Sequence, residues 1–286
     1  MKKFLVSILA CNLFLFSTAS AQTKQPVVKG KLFIIGGGDR GDELMKALVS
    51  TAALGAKDYV VVLPMSSEQP DTSYYYFKED FQKACANAIL NFNFNSEKVN
   101  DKRWLDSLQN ARLIFITGGD QQRFMKVVLH TPVYHAIHKA YANGATIAGT
   151  SAGAAVMSEK MITGNELTDT VYRATFKKIH DKNIEIQEGL GLLKGAIIDQ
   201  HFIVRSRYNR LFSALAKYPN YSCIGIDEAT AIIVQNNKVT VAGESQVVLL
   251  QKPVDLKITT SGLVKMKSAE LSMFTAGDTF FISQPH

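Results

Sequence analysis

The sequence predicts an α/β fold in which a mostly parallel sheet carries helices on both faces and is followed by C-terminal antiparallel strands. Up to residue 227, short apolar runs alternate with amphipathic stretches of helical length, and this alternation is typical of a parallel sheet. After Glu228, β-branched runs are separated only by short polar turns, which indicates antiparallel strands. The chain has 286 residues, 47% of them hydrophobic and 20% charged, so a packed globular core is expected.

The predicted parallel strands are short, apolar and followed by glycine or by a residue that starts a helix. They are Lys31 to Ile35, Tyr59 to Leu63, Ile89 to Phe94, Leu113 to Thr117, Thr146 to Gly149, Ala196 to Gln200 and Ile224 to Asp227. Helices are predicted at Asp42 to Leu54, Ser73 to Asn87 and Gln121 to Leu129. The later strands, which should extend or close one sheet edge, are Ala231 to Val234, Lys238 to Ala242, Gln246 to Leu250 and Thr279 to Ile282.

The N-terminus has the composition of an export signal. Lys2 and Lys3 precede an apolar run from Phe4 to Phe16, and Ala19-Ser20-Ala21 is a small-residue cleavage motif. We therefore expect an exported product, periplasmic or extracellular. The expected organisation is a signal peptide over residues 1–21, a short linker over 22–28 and a single α/β domain over 29–286.

Composition and charge argue against several functional classes. The N-terminal apolar run is shorter than the about 20 residues that cross a bilayer, and no later segment supplies them, so no integral membrane span is expected. The formal net charge is +7, but no run of five or six Lys or Arg occurs, so nucleic acid binding is not expected. Lipid anchoring at Cys11 is a disfavoured alternative to a soluble product, and the sequence leaves a homodimer open.

The first glycine turn, Gly36 to Gly41, satisfies the dinucleotide pattern G-x-G-x-x-G after the first predicted strand. A dinucleotide site also needs an acidic residue at the end of the second strand, but Leu63 is followed by Pro64-Met65-Ser66-Ser67. The sequence therefore favours a tight strand-to-helix turn over a nicotinamide or flavin site. No cofactor and no metal are expected.

The segment Gly149-Thr150-Ser151-Ala152-Gly153 is a G-x-S-x-G turn between a predicted strand and a helix start. Such a turn holds the serine hydroxyl clear of the sheet edge, and the next backbone N–H points toward a developing oxyanion. A helix cap alone would need neither glycine. Ser151 is the candidate nucleophile, and the N–H groups of Ala152 and Gly119 are a candidate oxyanion hole. Asp120 can equally be the N-cap of the helix after Gly119.

A serine nucleophile needs an imidazole base and an acid that orients it. His201 follows the predicted strand ending at Gln200 and is therefore expected at the carboxyl edge with Ser151. The other histidines lie in polar or terminal stretches; they are His130, His135, His138, His180 and His286. Asp227 and Glu228 point to opposite sides if extended, so only one of them can face His201. Because the histidine precedes the acid, the α/β-hydrolase order is disfavoured.

Three arginines, Arg205, Arg207 and Arg210, follow His201. Guanidinium groups bind carboxylates in bidentate fashion, so this cluster indicates an acidic substrate group. A solvated basic helix is an equally consistent interpretation.

Three motifs together resemble cyanophycinase and peptidase family S51, with a likeness over about residues 29 to 250. They are Gly149 to Ala154, Asp199 to Phe202 with the arginines behind it, and Gly225 to Glu228. The resemblance implies a flavodoxin-like fold of the class I glutamine amidotransferase type. It also implies a catalytic triad of Ser151, His201 and Glu228.

The resemblance further implies an exported serine peptidase that hydrolyses aspartyl amide bonds through an acyl-enzyme. The residues then expected to hold an aspartyl residue's backbone amino and carboxylate groups are Asp199, Gln200, Arg205, Arg207 and Arg210. Cyanophycinases cut a multi-arginyl polyaspartate into β-aspartyl-arginine dipeptides, and relatives include α-aspartyl dipeptidases, so both substrates stay open. A non-catalytic exported binding protein on the same scaffold also remains an open alternative. The turn Gly-Gly-Gly-Asp-Arg departs from the Gly-Gly-Ala-Glu-Asp expected in cyanophycinases.

Overall fold

The computed structural model describes residues 28–168 and 178–282. The predicted signal peptide, Cys11 and His286 lie outside the described residues. The helices are α1 (Asp42–Ala52), α2 (Pro70–Ala84), α3 (Lys102–Gln109), α4 (Gln121–Val128), α5 (Pro132–Asn143), α6 (Ala152–Ala155) and α7 (Tyr208–Lys217).

The strands cover most of the apolar runs that the sequence indicates. Up to residue 200 they are β1 (Lys31–Ile35), β2 (Tyr59–Leu63), β3 (Ala88–Asn91), β4 (Leu113–Ile116), β5 (Thr146–Thr150), β6 (Lys160–Glu166), β7 (Ile184–Glu188) and β8 (Ala196–Gln200). After them come β9 (Ser222–Ile226), β10 (Thr230–Gln235), β11 (Lys238–Gly243), β12 (Val247–Val254), β13 (Lys257–Ile258), β14 (Val264–Lys265), β15 (Ser268–Phe274) and β16 (Thr279–Phe281).

The larger sheet has eight strands in the order β16-β11-β10-β1-β5-β4-β2-β3. The five strands from β1 to β3 in this order are parallel. Strands β10, β11 and β16 extend the β1 edge in antiparallel fashion. The predicted α/β class, with a mostly parallel sheet and C-terminal antiparallel strands, is confirmed.

Strands β8 and β9 lie in a second sheet, of order β15-β12-β9-β8, where they pair in parallel with each other. The sequence pattern predicted that these two runs lie in the same sheet as β5 and that β12 extends an edge of that sheet. Both expectations are wrong. Strands β8 and β9 are buried along their whole length. A strand buried on both faces has no polar alternation to identify its neighbour, so the sequence pattern could not assign it to a sheet.

Alternating side chains of β1 supply two cores, one on each face of the larger sheet. Phe33 and Ile35 pack with buried residues of α1 and α2. Leu32 and Ile34 pack with buried residues of α3, α4 and α5, in a core that also includes Ile198 of the second sheet. Helices thus cover both faces, and the two sheets share one apolar cluster, which fixes the end of β8 relative to the end of β5.

Local signals in the sequence explain where several helices begin. The Asp101 side chain accepts backbone hydrogen bonds at the start of α3, and Asp120 does so at the start of α4. Proline stands in the first turn of α2 and of α5, where its missing N–H costs nothing. Within the described ranges, none of the helices is both long and apolar enough to span a membrane.

Candidate active site

Ser151 stands at a sharp turn between the parallel strand β5 and the short helix α6. Its backbone has φ 53° and ψ −109°, a strained conformation of the kind that a nucleophile elbow requires. The turn is tight because Gly153 packs directly on the β4 backbone. A Cβ on Gly153 would lie 2.3 Å from the Ile116 carbonyl oxygen, so the flanking glycine is needed for the close approach and not for capping.

His201 follows the last residue of β8 and also has a left-handed backbone, with φ 49°. Its N–H donates to the Gly36 carbonyl oxygen over 2.8 Å, which ties the end of β8 to the end of β1. Gly37 leaves room for the ring, because a Cβ there would lie 2.2 Å from the imidazole. The first glycine turn is therefore a tight strand-to-helix turn, as predicted, but its position against His201 was not foreseen.

The three predicted triad residues lie in a continuous hydrogen-bonded row. Ser151 Oγ is 2.8 Å from His201 Nε2, and His201 Nδ1 is 2.5 Å from Glu228 Oε1. A carboxylate can only accept, so Nδ1 carries a proton and donates it to Glu228. Nε2 of the neutral ring is then free to accept the serine proton, which is the arrangement needed to activate a hydroxyl.

Asp227, the other acid of the pair, faces away from the imidazole. Its Oδ1 accepts hydrogen bonds from the N–H groups of Ile203 and Val204, and its Oδ2 accepts from the Ser245 hydroxyl. Asp227 therefore holds the loop that follows His201. The geometry brings Glu228, and not Asp227, to the base.

The environment of His201 favours the neutral ring. Burial lowers the pKa of His201, and the positive charges of Arg205 and Arg207 lower it further, while the hydrogen bond and charge of Glu228 oppose the change. Because the net direction is downward, the imidazole is unprotonated and able to accept a proton at neutral pH.

The candidate oxyanion donors flank the serine. Ala152 is the first residue of α6, and the first N–H groups of a helix have no acceptor within it. On the other side, a Cβ on Gly118 would lie 3.5 Å from Ser151 Cβ, so the Gly118-Gly119 turn lies against the serine. Asp120 is the N-cap of α4, as one interpretation of the sequence predicted. Gly118 lines the cavity beside Ser151, whereas Gly119 packs on the backbone of Ser66, so the role of the Gly119 N–H stays a prediction.

The residues expected to bind an aspartyl group mostly contact each other. The buried Asp199 carboxylate accepts from Arg210 Nε over 3.1 Å and from Arg210 Nη2 over 2.9 Å. Arg207 donates to the Gln200 carbonyl oxygen over 2.6 Å. Arg205 is exposed. Among the described residues that line the cavity beside Ser151, none of these five occurs.

A cavity of about 510 Å³ opens beside Ser151 and His201. Its walls come from the first glycine turn, α2 and the ends of β4 and β5; they include Arg40, Ser73, Tyr76, Phe77, Asp80, Phe115 and Thr117. Neither Arg40 nor Asp80 was predicted from the sequence, and the only signal for Arg40 was its departure from the expected glycine-turn motif. In the described part of the chain, no cluster of three or more His, Cys, Asp or Glu could hold a metal ion.

Comparison with known proteins decides the family. The model for peptidase family S51 matches residues 14–242. The chain belongs to peptidase family S51. This S51 peptidase is 31% identical over 268 residues to the cyanophycinases of Trichormus variabilis and of Nostoc sp., covering 90% of this chain and 87% of each relative.

A solved structure agrees with the fold of this S51 peptidase. The crystal structure of a peptidase from an acI-B1 actinobacterium matches it with a TM-score of 0.64 and 19% identity, over 90% of this chain and 98% of that one. The family predicted from the three motifs is thus confirmed, and the protein is a serine peptidase, a hydrolase.

Proposed function

We propose that this S51 peptidase hydrolyses aspartyl amide bonds and releases β-aspartyl-arginine dipeptides from a multi-arginyl polyaspartate. The observation that carries the proposal is the row Ser151 Oγ, His201 Nε2 at 2.8 Å, and His201 Nδ1 to Glu228 Oε1 at 2.5 Å. Relatives named cyanophycinase, at 31% identity over most of the chain, support the choice of substrate.

In the first half-reaction, Ser151 Oγ attacks the carbonyl carbon of the aspartyl amide while its proton passes to His201 Nε2. Glu228 accepts the Nδ1–H and stabilises the imidazolium that forms. The N–H groups of Ala152 and Gly119 stabilise the oxyanion of the tetrahedral intermediate. When the C–N bond breaks, Nε2–H protonates the leaving amine and the acyl-enzyme remains.

In the second half-reaction, His201 Nε2 takes a proton from water, whose oxygen attacks the acyl carbon. The new tetrahedral intermediate collapses, the ester bond to Ser151 breaks, and the serine oxygen recovers its proton from Nε2. Each proton lost is returned, so the proton transfers in these steps use only side chains of this protein, the substrate and water.

Substrate positioning is divided between exposed and buried residues. Arg205 is the one exposed member of the expected set within the described chain, and we assign it the contact with an aspartyl carboxylate. Asp199, Gln200, Arg207 and Arg210 are buried and act by fixing the segment that carries His201.

We also propose that the protein is exported after removal of residues 1–21 and that residues 29–286 form one domain. Mass spectrometry of the protein purified from its native cell would give a mature N-terminus at Gln22 if the leader is cleaved after the Ala19-Ser20-Ala21 motif. A lipid-modified N-terminal Cys11 would contradict a soluble product.

The proposed activity is tested with purified protein and a panel of substrates: insoluble β-aspartyl-arginine polymer, β-aspartyl dipeptides and α-aspartyl dipeptides. We expect dipeptide release from the polymer, abolished by Ser151→Ala and unaffected by Ser96→Ala, which changes an exposed serine that does not line the cavity. Turnover of α-aspartyl dipeptides alone would replace the polymer with a dipeptidase role. Polymer binding without turnover would indicate a binding protein.

A further inference from the structure

Arg40 lies on the wall of the catalytic cavity, in the turn between β1 and α1. Its Nη2 donates to Asp80 Oδ2 over 2.8 Å, and its guanidinium carbon is 5.9 Å from the centre of the Phe115 ring. The side chain is 15% exposed. The ion pair and the ring therefore hold the guanidinium in place on the wall of the cavity that Ser151 also lines, with part of it open to the cavity.

Most of the hydrogen-bonding capacity of Arg40 is unused. Of its five N–H donors, the Nη2 bond to Asp80 is the one that has an acceptor among the described residues, and Nε is buried without a partner. Arg210, in contrast, uses Nε and Nη2 on one carboxylate. Unmet donors in a partly buried guanidinium cost stability, so an arginine kept in this state on a cavity wall is suited to a ligand.

The ion-pair cluster that contains Arg40 has an excess of positive charge. Asp80 Oδ1 is also 3.5 Å from Lys83 Nζ, so two cations share one carboxylate and the three side chains carry a net charge of about +1. The neighbouring rings of Phe77 and Phe115 lower the local polarity and strengthen this field. Asp39, exposed in the same turn, places a negative charge nearby, so the cavity suits a group that carries both charges.

We propose that Arg40 is a specificity-determining residue that binds the free carboxylate of the arginine unit of the substrate. This inference rests on the proposed function. In a β-aspartyl-arginine unit the arginine is linked through its amine, so its carboxylate is free and its guanidinium remains positive. The open Nη1 donors of Arg40 bind this carboxylate. Asp39 lies near the guanidinium of the substrate arginine.

Calorimetry in the Ser151→Ala background tests the inference with two probes. One is a trimer of β-aspartyl-arginine with free arginine carboxylates, and the other is the same trimer with those carboxylates converted to primary amides. We expect the free trimer to bind about 10- to 100-fold more tightly, since a hydrogen bond to a charged group contributes about 1.5–3 kcal/mol. Adding Arg40→Met should remove this preference and leave the affinity for the amide unchanged.

Further variants separate recognition from folding. Arg40→Lys should keep part of the preference because it retains the charge but loses the planar fork. If Arg40→Met folds poorly, the double variant Arg40→Met with Asp80→Asn takes its place, because it leaves no unpaired carboxylate. This double variant should also lose the preference for the free trimer. Arg103→Met, on an exposed position of α3, should keep the full preference.

The outcomes distinguish this inference from the proposed function. A preference that survives Arg40→Met, or failure of both trimers to bind, overturns the role of Arg40. If the free trimer binds in an Arg40-dependent way but the unmodified enzyme does not hydrolyse it, the proposed function fails and the role of Arg40 stands.

Discussion

The end of β8 contributes residues to two regions, a buried ion pair and the catalytic cavity, in which charged side chains have different roles. At Asp199, a fully buried carboxylate is bonded twice to Arg210 of α7. Two residues later, His201 reaches the cavity and lies between a serine hydroxyl and a carboxylate. Neighbouring residues of one motif thus belong to a buried ion pair and to the proposed catalytic centre.

The difference follows from the backbone at His201. In an extended strand, residues 199 and 201 would point to the same face, and both would face α7. The left-handed φ of His201 ends the extended conformation, and the bond from its N–H to Gly36 turns the segment toward the larger sheet. Because of the strained backbone at His201, one continuous motif supplies both a buried structural residue, Asp199, and the cavity residue His201.

The largest effect is expected from Glu228→Gln, which breaks the reactive centre alone. The amide can donate to Nδ1 and so favours the wrong tautomer of His201, and kcat should fall by about 10⁴-fold. Because Glu228 raises the pKa of His201, its loss should also move the acid limb of the residual activity to lower pH. Steady-state kinetics across pH, with thermal unfolding as a check of the fold, measure both effects. A kcat close to that of the unmodified enzyme would remove Glu228 from the mechanism.

The next effect is expected from Asp199→Asn, which breaks the buried ion pair. Removing the carboxylate takes the shared anionic partner away from Arg210 and Arg207, so the free energy of unfolding should fall by about 3–5 kcal/mol. Denaturant unfolding measures it, and Asp199→Leu with Arg210→Met should recover part of the loss. Activity per folded molecule should fall far less than in Glu228→Gln. A stable but inactive Asp199→Asn would instead indicate that Asp199 takes part in the reaction.

The smallest effect on His201 itself is expected from Arg205→Met, which acts on the imidazole through charge, apart from the rise in KM that loss of the proposed contact with an aspartyl carboxylate implies. The positive charge of Arg205 lowers the pKa of His201, so its removal should raise that pKa and shift the acid limb of kcat/KM to higher pH. Since Arg205 is exposed, the shift should shrink in high salt. The pH profile at low and high ionic strength measures it, and a shift toward lower pH would show that the sign of the interaction is wrong.

Much of the site was accessible from sequence because its signals are local. The G-x-S-x-G turn and the strand preceding His201 indicated where two of the reactive side chains stand, and the resemblance to the family selected Glu228 over Asp227. The sheet that holds β8 was not predictable, because strand pairing is non-local and a fully buried strand resembles any other. The cavity wall at Arg40 was not predictable either. Asp80 belongs to α2, and only the packing of α2 against the sheet brings it to the site.

The most direct test is covalent labelling of the unmodified enzyme with a fluorophosphonate, followed by mass spectrometric mapping of the adduct. If His201 activates Ser151, one adduct forms on Ser151, its rate rises with pH as the imidazole loses its proton, and His201→Ala abolishes it. A folded enzyme that leaves Ser151 unlabelled, or His201→Ala protein that is labelled at the same rate, would contradict the account.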